Sequence, residues 1–299
     1  MRSLSRPIPA ATPQFVRCAL ASVDLLRCLT VRSARWNAST GSPSARSPWT
    51  PRTAAATTGG TVLLSHGTGG CALDLSWLAE PLASAGLRVI GVDHHGNSHR
   101  GGYHAEAFAR WWDRPQDLSV VLDHLADGGP VGVAGFSLGG YTAAALLGAR
   151  IDADIFGAIA TRRVTVPSPP EYPTLIDELT DRIGADDIAA WIAESGDDYA
   201  DRRVTAGFLI CPAQGQLLTA TSLRGITTPV SIWWTGEDDQ TPAETNALHY
   251  ASLIPGATEH CADPSAGHYV FVRDVPDADR IRARLASAAV TFFHEQLTA

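Results

Sequence analysis

From residue 61 onward the chain alternates between two hydrophobic patterns. The first is short and apolar or β-branched, as in a strand buried on both faces: TVLLSH at 61–66, LRVIGVD at 87–93, VGVAGF at 131–136, VTAGFLICPA at 204–213, PVSIWWTG at 229–236 and ATEHCAD at 257–263. The second has helical spacing: LDLSWLAEPLASAG at 73–86, AFARWWDRPQDLSVVLDHLAD at 107–127 with a break before Pro115, SLGGYTAAALLGAR from 137, PAETNALHYASLI after Thr241, and a terminal stretch over 277–297. Strand and helix in turn predict an α/β fold, a mostly parallel sheet flanked by helices.

Two regions depart from this rhythm. In 152–203 a Pro-rich turn introduces two helical patterns, at 173–183 and 185–195. This insertion is expected to form a small helical cap over the carboxyl ends of the strands, where open α/β sheets bind ligands. Residues 1–58 carry eight arginines and one acid, Asp24, and the run SARWNASTGSPSARSPWTPRTAAATTGG has linker composition. A disordered or poorly structured extension is expected there, with a short helix near 15–29 as its one regular element. Its apolar run FVRCALASVDLLRCL is broken by Arg17, Asp24 and Arg27, so no secretory signal is recognised and a cytoplasmic location is expected. No later apolar stretch is long enough to span a bilayer.

Composition narrows the partners. A 299-residue chain that is 45% hydrophobic can bury a sizeable core, and 59–299 is read as one domain. A net charge of −8 argues against nucleic-acid or anionic-membrane partners, which need a basic face. The five cysteines, at 18, 28, 71, 211 and 261, are odd in number and lack C-x-x-C spacing, so neither a disulfide framework nor a zinc site is expected. Cys211 and Cys261 read as small buried hydrophobes and Cys71 as structural.

The chemistry starts at GFSLGGY, residues 135–141, where a strand pattern turns into a helix pattern around one serine. Gly135-Phe136-Ser137-Leu138-Gly139 fits the G-x-S-x-G nucleophile elbow. A serine hydroxyl needs a base, and the base needs an orienting acid; with an elbow these follow in the order Ser, acid, His. Of the histidines after Ser137, His249 falls in a helical pattern, His260 in a strand and His294 in the terminal helix. His268 alone lies in a Pro/Ser/Gly loop, PSAGHYVF, after the last strand. The acid comes from TGEDDQTP: counting on from Gly236 selects Asp239, but counting back from Pro242, which opens the next helix, is the firmer anchor and selects Asp238, with Asp239 as the alternative. Two backbone N–H groups complete an oxyanion hole, Leu138 after the nucleophile and Thr68 in the HGTGG loop behind the first strand.

With these residues in place, the chain from about 60 to 295 resembles the α/β-hydrolase superfamily. It looks most like the dienelactone-hydrolase-related and platelet-activating-factor-acetylhydrolase-like serine esterases, through LLSHGTGG, VDHHGN, GFSLGGYTA, GEDDQTPAETNALHYASLIPGA and AGHYVF. The resemblance implies hydrolysis of a small-molecule carboxylic ester through an acyl-enzyme, with no cofactor and no metal. Dienelactone hydrolases have a cysteine where this chain has Ser137, so their substrate is not carried over. The strands that precede HGTGG in such folds are not legible in 1–58.

Other features have competing readings. His94, His95, His99 and His104 crowd VDHHGNSHRGGYH, but no acid is spaced among them as a metal ligand. Trp111-Trp112 and Trp233-Trp234 read as core, one of each pair being available to line an acyl pocket. Against the esterase stand a serine peptidase on the same fold and a non-catalytic binding protein that kept it.

Overall fold

The computed structural model describes residues 26–31, of these the backbone alone, together with 59–124 and 128–298. Seven parallel strands make the sheet: β1 (Leu26–Val31), β2 (Thr61–Ser65), β3 (Arg88–His94), β6 (Val131–Phe136), β7 (Val204–Ile210), β8 (Val230–Thr235) and β9 (Thr258–Asp263). Their spatial order is β1-β3-β2-β6-β7-β8-β9. A small antiparallel pair, β4 (Asn97–Ser98) and β5 (Gly102–Tyr103), rises from the loop after β3.

Helices cover both faces. In chain order they are α1 (Ser76–Ser84), α2 (Ala105–Ala109), α3 (Asp113–Asp123), α4 (Leu138–Leu146), α5 (Ala153–Ala160), α6 (Leu175–Arg182), α7 (Ala185–Ser195), α8 (Ala220–Arg224), α9 (Ala247–Leu253) and α10 (Ala278–Leu297). The strand period of two divides the core: Val62 and Leu64 pack with Leu78 of α1 and Phe293 of α10, while Leu63 between them packs with Leu118 of α3 and Tyr141 of α4. Burial on both faces is why the central strands read as continuous apolar runs. This is an α/β-hydrolase fold.

The expected strands and helices appear near their predicted limits, with four differences. The predicted helix over 107–127 is two, α2 and α3, and Pro115 sits in the first turn of α3, where its missing N–H costs nothing. The helix after Thr241 starts as a 3₁₀ turn over Ala243–Thr245 and resumes as α9 beyond Asn246, whose backbone (φ −127°, ψ −98°) is not helical. The insertion contains α5 as well as the two predicted helices. Finally, Leu26–Val31 is a strand paired with β3, where the sequence suggested a poorly structured extension and a short helix; the rest of 1–58 lies outside the described residues.

The insertion is pinned where it leaves and where it returns. Ile151 bridges Leu218, the Asp152 amide donates to the Leu217 carbonyl at 2.7 Å, and the Asp201 amide donates to the Leu146 carbonyl at 2.9 Å. Among the described residues no helix is long and apolar enough to cross a membrane.

Candidate active site

Strand order locates the site. β3 lies on one side of β2 and β6 on the other, so the connections diverge and a crevice opens at the carboxyl ends of β2 and β6. There the loops HGTGG and GFSLGG meet. A Cβ on Gly139 would lie 1.9 Å from the Ser65 carbonyl oxygen, and one on Gly135 would lie 1.9 Å from the Gly139 carbonyl oxygen. Only glycine fits at either position. Between them Ser137 adopts φ 57° and ψ −121°, a backbone cost of about 1–3 kcal/mol for a residue with a side chain. Backbone hydrogen bonds hold that turn: the Ser137 amide donates to Ile210 O at 2.9 Å, and the Ser137 carbonyl accepts from the Gly140, Ala213 and Tyr141 amides at 2.8, 3.0 and 3.3 Å.

The candidate base and acid converge on this serine. His268 opens a 3₁₀ turn, His268–Phe271, behind β9, with Phe136 against its ring at 4.7 Å between centroids. Its Nε2 lies 3.0 Å from Ser137 Oγ and its Nδ1 2.7 Å from Asp238 Oδ2. With Nδ1–H donating to the carboxylate, Nε2 is left to accept the serine proton. Asp238 is buried beyond the end of β8; its Oδ1 accepts the Gln240 and Thr241 amides at 3.0 and 2.7 Å, and the Thr241 hydroxyl donates to Oδ2 at 2.9 Å. Burial alone would raise this carboxyl's pKa, but His268 and the Thr241 donors outweigh it and hold the group below the usual aspartate range. Asp239 is exposed and accepts from the Gln240 side chain at 3.2 Å. The geometry therefore brings Ser137, His268 and Asp238 together and leaves Asp239 outside.

Thr68 lines the same cavity as Ser137, and Leu138 opens α4 one residue beyond it. Behind both loops lies a polar network that sequence reasoning did not find. Arg114, 2% exposed, donates to the His66 carbonyl, to Asn97 Oδ1 at 3.0 Å and to Thr142 Oγ1 at 3.1 Å. The His94 amide donates to His66 Nε2 at 3.1 Å, so the His66 proton sits on Nδ1 and points to the Gly67 carbonyl at 2.7 Å. His94 in turn joins Ser65 Oγ at 2.9 Å to Asp117 Oδ2 at 2.9 Å. The only sequence signal was a buried-looking Arg and Asp on one helix pattern, RPQDL, which reads equally well as a solvated face.

The four clustered histidines part company. His94 enters the network, His99 Nδ1 lies 3.2 Å from the Gly69 carbonyl, and the rings of His95 and His104 meet edge to face. Among the described residues two groups have metal-ligand proximity: Cys211, Asp238 and His268, which overlaps the candidate catalytic groups, and Cys71, Asp74 and His99 at the rim. The Cys71 thiol is pushed up to about 11 by burial and by Asp74. Cys211 is buried as expected, whereas Cys261 is only partly so.

A cavity of about 1040 Å³ opens over Ser137 and His268, and α5, α6 and α7 contribute to its wall. Its lining is mainly apolar, with Phe156, Ile176, Leu179, Ile188 and Trp191 from the insertion. Trp111 reaches it while Trp112 is fully buried. Neither Trp233 nor Trp234 does: Trp233 is buried in the core, as the sequence suggested, and stacks on His260 at 4.6 Å, while half-buried Trp234 donates to Glu259 at 2.7 Å.

The strand order and the strained turn at Ser137 are those of the α/β-hydrolase fold. Residues 56–184 match the family model described as serine aminopeptidase, S33, a span that holds the HGTGG loop and Ser137 but neither Asp238 nor His268. A similar solved structure is that of a predicted CIB-like hydrolase from Thermoplasma acidophilum, 14% identical, with 79% of this chain and 86% of that chain covered at a TM-score of 0.44. No curated protein sequence matches the chain.

Proposed function

We propose that the protein is a serine hydrolase that cleaves carboxylic esters bearing a bulky apolar group. The observation that carries this reading is the hydrogen-bonded line Asp238–His268–Ser137, at 2.7 and 3.0 Å, opening on a large, mainly apolar cavity. Ser137 attacks the ester carbonyl as His268 takes its proton. Asp238 holds the imidazole in the required tautomer, and the Thr68 and Leu138 amides stabilise the oxyanion. His268 then protonates the leaving alcohol, and water repeats the sequence on the acyl-enzyme. The insertion acts as a cap, and the apolar moiety lies beneath α5–α7. The resemblance to dienelactone-hydrolase-related and platelet-activating-factor-acetylhydrolase-like serine esterases supports the choice of an ester.

The S33 family match favours one other reading, an aminopeptidase, for which the cavity carries Glu171 as a carboxylate for a substrate ammonium. The two are separated by assaying p-nitrophenyl acetate, butyrate and octanoate beside aminoacyl p-nitroanilides. Ester turnover is expected, falling by about four orders of magnitude or more in a folded Ser137→Ala variant. Turnover of anilides without esters, or ester turnover that survives Ser137→Ala, would overturn the proposal.

A further inference from the structure

We propose that Arg114 is a positioning residue that holds the two oxyanion donors in register, an inference that rests on the hydrolase reading above. Its guanidinium does not line the substrate cavity. It touches both arms of the oxyanion hole from behind. On one arm it donates to the His66 carbonyl, and Asn97 Oδ1, which accepts from Arg114 Nη1 at 3.0 Å, also accepts the Gly69 amide at 2.9 Å. Thr68 thus stands in a turn anchored on both sides to one cation. On the other arm Arg114 Nε donates at 3.1 Å to Thr142 Oγ1, which donates at 3.0 Å to the Leu138 carbonyl, in the first turn of α4.

The chemistry of the group suits this use. A guanidinium is planar and offers its donors in fixed directions, so one side chain sets the angle between two elements as a flexible ammonium does not. Its removal also leaves the buried His66 carbonyl without this donor, so Arg114 contributes to stability as well as to position, and the test reads the two separately. Asp117, the nearest acid on α3, bonds His94 rather than Arg114, so the guanidinium's direct partners are neutral oxygens of the two loops and their supports.

The test compares Arg114→Met and Arg114→Lys with the wild type. In folded Arg114→Met, kcat on a p-nitrophenyl ester is expected to fall about 100-fold, as when an oxyanion donor is lost or displaced by about 1 Å, with KM within about threefold. The Ki of a boronic acid, whose tetrahedral adduct occupies the hole, should rise in step, and Arg114→Lys should recover part of the loss. Hydrogen exchange over 66–70 should quicken in Arg114→Met. A folded Arg114→Met with kcat within about threefold of wild type, a kcat loss without a weaker boronate, or unchanged exchange over 66–70 would each overturn the proposal. If Arg114→Met does not fold, Thr142→Val decides by the same kcat and boronate readouts, since it cuts only the Leu138 arm. A wild type inactive on every ester sinks the ester reading alone; the exchange comparison still decides the role of Arg114.

Discussion

An imidazole is oriented by a carboxylate only when that carboxylate is itself fixed and shielded from water. Asp238 has two backbone N–H donors, a hydroxyl donor and a buried position; its neighbour Asp239 has a side-chain amide and solvent. Asp238→Asn is therefore expected to lower kcat by about 10⁴, the cost of the wrong histidine tautomer, while Asp239→Asn stays within about twofold. Steady-state kinetics on one ester checks both, and a larger loss in Asp239→Asn would reverse the assignment. Sequence spacing favoured Asp238 but kept Asp239 as an alternative, because it counts residues along a turn and does not see which of two adjacent side chains faces inward. Ser137 and His268 were legible because each lies in a short local motif. Arg114 was not: its partners Ser65, His66, Asn97 and Thr142 come from three other stretches of chain, and no local pattern announces a contact 48 residues away.

At the scale of elements, the strands with two buried faces were the most legible, since an unbroken apolar run has few other uses. α5 was missed because ADIFGAIA is short and follows directly on the α4 pattern, and β1 because LRCLTV is embedded in Arg- and Ser-rich sequence. α6 gives a prediction of its own. Ile176 projects from it into the cavity wall, so Ile176→Trp should fill space beneath the proposed cap. The expected result is a loss of about tenfold or more in kcat/KM for octanoate, with acetate changed by less than about threefold. Equal effects on both esters would place the acyl chain elsewhere.

For the molecule as a whole, the network behind the HGTGG loop couples stability to pH. Burial first, and the Arg114 charge next, hold His66 and His94 well below the usual histidine range. Their folded pKa values are depressed, so the stability they contribute is complete above the unfolded value of about 6.5 and is lost as pH falls below it. Asp117, raised by burial and by Asp113, works in the opposite sense and offsets at most one of the two protons. A net loss approaching about 1.4 kcal/mol per pH unit is expected once the pH is well below 6.5. Urea unfolding at pH 7.5, 6 and 5 measures it, and a flat or rising profile would show that the two imidazoles are not neutral in the folded state.

The bonds that fasten Ile151, Asp152 and Asp201 to the core also bear on how such a protein changes over generations. A segment that departs and rejoins beside the same helix end adds little closure cost when lengthened, and its replacement leaves the frame unstretched. The wall over Ser137 can thus be lengthened, shortened or exchanged while the Asp238–His268–Ser137 line keeps its frame, so the shape of the cavity is separable from the groups beneath it.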